Sequence, residues 1–216
     1  MFVVLTIPLL DCYYQENKSV KDEHLVQIKS ARRNELLFLR SLNLPKEMGI
    51  LDLCCGKGNV LSQLPKHNYY TLVDKNPKVK IPENFNVDLL VLRNDLCEMD
   101  LKRHRDDIWV CINGLWYWKD NFLKNAKEYK PPIIIFNVHS KNINWECSGS
   151  YLKREGAFVK YYYDWCHTKE CVEPYLPKDE IDKYLLNLGY KMIKYYQDKD
   201  KNLSNNFEFY CYKLCE

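Results

Sequence analysis

The sequence predicts an α/β fold: a seven-stranded, mostly parallel, doubly wound sheet with helices on both faces. Three observations carry that expectation. Short apolar runs alternate with helical stretches along most of the 216 residues. The run Ile50-Leu51-Asp52-Leu53-Cys54-Cys55-Gly56-Lys57-Gly58-Asn59 reads as a buried strand that breaks at a glycine turn and opens a helix. A carboxylate, Asp74, closes the next apolar run, at the tip of the following strand.

The elements follow in order. From Lys18 to Leu42 the pattern is helical: Leu25, Ile28, Leu36, Leu39 and Leu42 form apolar faces, and Lys29, Arg32, Arg33 and Arg40 lie largely on the other side. Pro45 stops it. The first strand and its glycine turn come next, then a helix from Asn59 to Leu64 limited by Pro65. Tyr69 to Val73 is the second strand and Val87 to Leu92 the third, followed at once by Asn94-Asp95-Leu96. The fourth strand, Asp107 to Ile112, ends in Asn113-Gly114-Leu115-Trp116-Tyr117-Trp118. A helix from Asp120 to Tyr129 leads through Pro131-Pro132 to the fifth strand, Ile133 to Phe136. The last third adds a strand-like Phe158 to Trp165, a helix from Lys178 to Leu188 closed by Gly189, and two strands, Tyr190 to Tyr196 and Phe207 to Leu214. The polar stretch Asp198 to Asn206 reads as the hairpin loop between those two strands, the last of which is expected to be antiparallel.

Composition bounds the function. The chain is long enough for one domain with a real core, so residues 1–216 are expected to form one unit: an N-terminal arm and helix (1–47), a ligand-binding half (48–140) and a substrate-side half (141–216). A net charge of +3 gives no polybasic field of the kind that marks a nucleic-acid binder by itself. The ten cysteines are irregularly spaced with no Cys-x-x-Cys pair. Cys166-His167 with Cys171 is therefore a weak zinc candidate, and reduced thiols with no metal are expected. Met1 to Leu10 is apolar but has no basic flank and is too short for a membrane span, so it reads as an arm or edge strand of a soluble, cytoplasmic protein.

Glycine turns serve several ligands, and the spacing discriminates among them. The dinucleotide fingerprint needs a third glycine where this chain has Leu61, and the phosphate loop needs a Gly-Lys-Ser/Thr that is absent. What remains is an acidic residue inside the strand, a Gly-x-Gly turn, and a carboxylate placed to grip the two hydroxyls of a ribose. Asp52, Gly56-Lys57-Gly58 and Asp74 together resemble motifs I and II of class I S-adenosylmethionine-dependent methyltransferases, which have a Rossmann-like fold. The resemblance covers nearly the whole chain. It implies S-adenosyl-L-methionine as cofactor, with Asp52, Gly56 and Gly58 at its methionine moiety, Asp74 at its ribose, Asp95 at its adenine, and Cys54 and Asn113 also in its site. Lys57 sits where it can meet the cofactor's carboxylate or Asp52. Asp95 also has a plainer reading as a turn carboxylate.

The acceptor is read from the later residues. Tyr161-Tyr162-Tyr163-Asp164-Trp165-Cys166-His167 and then Glu173-Pro174-Tyr175 set rings beside carboxylates, which suits a planar, cationic or amine-bearing molecule. With the basic Lys29 to Arg33, this stretch loosely resembles messenger-RNA cap guanine-N7 methyltransferases. That resemblance implies Tyr163, Asp164 and Glu173 around a guanine, with Tyr117 and Tyr175 beside it and Arg32 and Arg33 toward phosphates. Where that family carries His-Tyr-Ser-Phe-Glu, this chain has Asn113 to Trp118, which keeps an aromatic and loses the histidine and glutamate. The plainer readings are an aromatic strand half in the core, and a solvated helix face for the two arginines.

The primary expectation is thus a methyltransferase acting on RNA, with cap guanine N7 as the model acceptor and no general base required. The alternative is a small-molecule O- or N-methyltransferase in which His139 or His167 removes a proton, although a lone histidine is more often structural. A third reading is an inactive cofactor-binding subunit that supports a protein partner.

Overall fold

The computed structural model describes residues 33–56, 58–64, 67–75, 77, 79, 87–96, 99–163, 169–197 and 206–215. The predicted arm (1–10), the start of the first helix, Lys57, the Asp164–His167 segment and the loop between the last two strands lie outside them. Five parallel strands come first: β1 (Ile50–Leu53), β2 (Tyr69–Asp74), β3 (Asp88–Arg93), β4 (Ile108–Cys111) and β5 (Ile133–His139). The helices among them are α1 (33–40), α2 (Asn59–Gln63) and α3 (Lys119–Tyr129). An antiparallel group follows, β6 (Asn144–Cys147), β7 (Ser150–Glu155), β8 (Phe158–Tyr162) and β9 (Cys171–Pro174). Helix α4 (Lys178–Asn187), β10 (Tyr190–Gln197) and β11 (Phe207–Leu214) close the chain.

The main sheet has seven strands in the order β10-β11-β5-β4-β1-β2-β3, and β11 runs antiparallel to both its neighbours. The chain moves outward from β1 to β2 and β3, then returns to the other side of β1 for β4 and β5. The order therefore reverses between β1 and β4, and in open α/β sheets such a reversal opens a crevice at the carboxyl ends of the strands.

Alternation along the strands builds two cores. Leu51, Leu53, Trp109, Ile134, Phe136, Tyr210 and Tyr212 face one way, onto Phe122 and Ala126 of α3 and Ile181 and Leu185 of α4. Ile50, Leu72, Ile108, Val110, Ile135 and Phe209 face the other way, onto Phe38 and Leu39 of α1 and Val60 and Leu61 of α2. A parallel strand covered on both faces is apolar throughout, and β1, β4 and β5 are buried along their whole length.

Two features differ from the sequence reading. Strand β5 continues past Phe136 to His139, because β11 pairs with it as far as Phe207↔His139 and because the buried Asn137 finds side-chain partners. The stretch beginning at Phe158 belongs to a second, four-stranded antiparallel sheet in the order β6-β7-β8-β9. Its first hairpin turns through Ser148 and Gly149, both at positive φ, a tight two-residue connection. Trp145, Leu152 and Val159 form the inner, apolar face, against which Tyr161, Tyr163 and Phe207 pack.

Candidate active site

The glycine turn stands at the carboxyl tip of β1, beside the point of reversal. Cys54, Gly56 and Gly58 all take positive φ, which bends the chain sharply from strand to helix. At Gly58 the turn is also crowded: a Cβ there would lie 2.9 Å from Val79 Cγ1. The Cys55 N–H bonds Val73 O at 3.0 Å, and the Gly56 N–H donates to Asp74 Oδ2 at 3.0 Å. Asp74 is thereby fixed against the turn, with the two motifs joined by one hydrogen bond. The Asn94 N–H continues the tie to Asp74 O at 3.0 Å, bringing the tip of β3 alongside. There Asp95 is half-buried, with Lys75 Nζ 3.4 Å from its Oδ2.

Asp52 lies within β1, with 1% of its surface exposed, and among the described residues its Oδ2 has no hydrogen-bond partner. Burial first, and then the nearby Glu35 and Asp74 carboxylates, push its pKa well above the usual range. A buried carboxyl of this kind is completed by a positively charged or N–H-rich ligand. The glycine turn, Asp52 and Asp74 therefore suit a ligand that brings a positive charge or N–H groups to Asp52 and hydroxyls to Asp74.

The tips of β4 and β5 close the other side of the crevice. A Cβ on Gly114 would lie 2.3 Å from Cys54 Cβ, so only glycine lets the β4 turn approach β1 this closely. The neighbouring Cys111 thiol, and then burial, push the Cys54 thiol far up, so it is a neutral lining group. Asn113, at φ 59°, gives its N–H to Asn137 Oδ1 and accepts from Asn137 Nδ2, both at 2.6 Å. Its carboxamide is thus committed to β5 and positions the turn. The short 3-10 turn Leu115–Tyr117 follows. Its Trp116 ring lies 4.4 Å from that of His139, which also meets Phe207 at 5.2 Å. His139 is buried, with no partner on Nδ1 among the described residues, and burial lowers its pKa to about 4. It is a neutral ring in an aromatic stack.

The second sheet reaches the same edge through one carboxylate. Glu173, on the inner face of β9, is 5% exposed, and its Oε1 accepts the phenols of Tyr117 at 2.5 Å and Tyr161 at 2.6 Å. Burial and the carboxylate push the Tyr117 phenol up to about 12, and the same causes raise Tyr161. Both therefore stay protonated as donors. Tyr163 stacks on Tyr161 with centroids 5.4 Å apart, and Tyr175 carries the Arg154 guanidinium 3.8 Å above its ring. Arg33 is exposed. Arg32, Lys57, Asp164 and His167 lie outside the described residues.

The structure thus gathers Asp52, Cys54, Gly56, Gly58, Asp74, Asp95 and Asn113 along the carboxyl edge of β1 to β4, with Tyr117 and Glu173 joined to that edge. The sequence reading missed three participants. Asn137 sits in a strand in which asparagine is rarely placed, Tyr161 is one tyrosine in a run of three, and Trp116 gave no sign of its stack with His139. Among the described residues no group of three or more His, Cys, Asp and Glu side chains is placed to hold a metal, and no helix is long and apolar enough to cross a membrane.

No family model and no curated protein matches the sequence. The fold is similar to that of several solved structures. An S-adenosylmethionine-dependent methyltransferase from Clostridium acetobutylicum ATCC 824 is 18% identical over 97% of this chain and 98% of its own, at a TM-score of 0.56. Magnesium protoporphyrin IX methyltransferase from Synechocystis PCC 6803, with S-adenosylmethionine bound, is 11% identical over 94% and 88%, at 0.58. A 1,6-didemethyltoxoflavin-N1-methyltransferase from Burkholderia thailandensis, holding its substrate and S-adenosylhomocysteine, is 13% identical over 96% and 88%, at 0.54. The chain has the Rossmann-like fold of the S-adenosylmethionine-dependent methyltransferases.

Proposed function

We propose that this protein binds S-adenosyl-L-methionine and transfers its methyl group to a small-molecule acceptor. The hydrogen bond from the Gly56 N–H to Asp74 Oδ2 carries the reading, since it sets a ribose-gripping carboxylate against a glycine turn at the reversal of the sheet. In this reading Asp52 faces the methionine end, Asp74 takes the ribose hydroxyls, and Asp95 is placed for the adenine amine. Methyl transfer from a sulfonium is an in-line displacement, so the chain's task is to align donor and acceptor and exclude water. The rigid turns after β1 and β4 and the aromatic cover of Trp116, Tyr117 and Tyr161 suit that task.

The acceptor assignment moves from the RNA cap, favoured by the sequence, to a small molecule. Several of the similar structures are small-molecule methyltransferases, and Glu173, expected at a guanine, has one carboxylate oxygen occupied by two phenols. A methyl-transfer assay with radiolabelled cofactor tests this against capped RNA, uncapped RNA and a metabolite extract. Label in the extract alone is the expected result. Label in capped RNA alone restores the cap reading, and cofactor binding without transfer to any of them favours the inactive subunit.

A further inference from the structure

We propose that Glu173 selects the acceptor, and that the acceptor is a nitrogen compound, an amine or N–H-bearing heterocycle, docked by an N–H on Glu173 Oε2. The inference rests on the methyltransferase reading above and names the substrate class of that same site.

The position of Glu173 is unusual for a carboxylate. Val159, its register partner on β8, and Leu152 and Trp145 share its face of the sheet and are buried apolar residues. Burying a charge on such a face is costly unless it is paired. Yet among the described residues no lysine or arginine pairs with it, and no hydrogen bond falls on Oε2, because both phenols converge on Oε1. Two neutral donors orient the group without neutralising it. The lysines of this sheet are spent elsewhere: Lys153 and Lys160 both pair with Glu155.

The same contacts fix where the open oxygen lies. Tyr117 ends the short turn that leaves the tip of β4, so its bond to Glu173 hooks the second sheet onto the cofactor edge. Its ring is exposed at that edge, and Trp116 and the raised, protonated phenol of Tyr161 lie beside it. An acceptor seated against Tyr117 lies one hydrogen bond away from the Glu173 carboxylate.

The charge flow of the reaction favours nitrogen at such a spot. A cationic amine first gives up a proton to water, and the nitrogen lone pair so freed forms the new C–N bond as the C–S bond breaks and its electron pair passes to sulfur. The positive charge moves from sulfonium to nitrogen, and a further proton then leaves to water. A fixed carboxylate beside the acceptor is most stabilising once that charge has arrived, so it acts on the transition state more than on the ground state. An oxygen acceptor activated as phenolate or carboxylate would place a second anion against Glu173, and like charges oppose.

The test uses the full-length protein saturated with S-adenosylhomocysteine, titrated with two probes of one ring and opposite charge, tryptamine and indole-3-propionate. Wild type is expected to bind tryptamine at least about tenfold tighter, and Glu173→Gln to lose that preference. The heat of S-adenosylhomocysteine binding to Glu173→Gln shows that the variant is folded. Tyr161→Phe, which keeps the carboxylate's charge, is expected to retain the preference. Equal or tighter binding of the anion, a preference that survives in Glu173→Gln, or no binding of either probe overturns the inference. The two levels separate cleanly: no heat with S-adenosylhomocysteine contradicts the methyltransferase reading, whereas binding of it without the cation preference sinks only the role of Glu173.

Discussion

His139 shows how one side chain changes meaning between sequence and structure. In the sequence it is a histidine after an apolar run and so a candidate base; in the structure it is a neutral ring between Trp116 and Phe207. Its pKa, lowered from 6.5 to about 4 by burial, fixes the sign of its effect on stability. The unfolded chain takes up a proton below about pH 6.5 that the folded protein refuses until about pH 4. Folding stability contributed by this residue is therefore full above pH 6.5 and falls as the pH drops through that window. At roughly 1.4 kcal/mol per pH unit the loss is about 3 kcal/mol. Urea denaturation of wild type and His139→Phe at pH 7 and pH 4.5 checks this, the variant being expected to show a markedly shallower decline. A decline of equal size in both places the acid sensitivity elsewhere. Asp52 is the opposite case, a residue singled out by one position in a motif. The structure buries it inside β1 and leaves its Oδ2 open among the described residues.

Elements with continuous apolar runs were read well from the sequence, and elements defined by long-range pairing were not. Strands β1, β2, β4 and β11 announce themselves because both faces are covered, so nearly every residue is apolar or aromatic. The second sheet gave a weak signal: β6 has four residues, of which only Trp145 is buried, and β9 is as short. Glu173 lies 56 residues from Tyr117, and no local pattern reports their bond. The opposite edge of the main sheet holds another pairing of this kind. Asp107, 1% exposed just before β4, accepts the Tyr69 phenol on Oδ1 and His104 Nδ1 on Oδ2 at 2.8 Å. Gly49 lies against this clasp, where a Cβ would lie 2.2 Å from the Tyr69 ring. Because the clasp joins the amino ends of β2 and β4, it is expected to support the fold and leave the ligand edge untouched. Asp107→Ala should cost about 3 kcal/mol in urea denaturation while the affinity for S-adenosylhomocysteine stays within about twofold. A comparable loss of affinity would show that the two edges of the sheet are coupled.

On the scale of the whole molecule, two sheets divide the work. The reversal of the main sheet between β1 and β4 makes the crevice, and the antiparallel β6–β9 group, inserted after β5, brings Glu173 over the neighbouring edge. The first half of this design was visible in the sequence, because the Gly56-Lys57-Gly58 turn and Asp74 are separated by one strand-helix-strand unit. On the other side the sequence singled out Tyr117 and Glu173 but not the bond that joins them, because β4, β8 and β9 are brought together by contacts far apart in the chain. The central claim is that the crevice holds a sulfonium nucleoside pinned at its ribose by Asp74. Isothermal titration of the purified protein with S-adenosylmethionine, S-adenosylhomocysteine and NAD tests it most directly. Binding of both sulfur nucleosides, silence with NAD, and a loss of at least about tenfold in affinity for Asp74→Ala are the predicted results. Heat from NAD with none from either sulfur nucleoside would contradict the account.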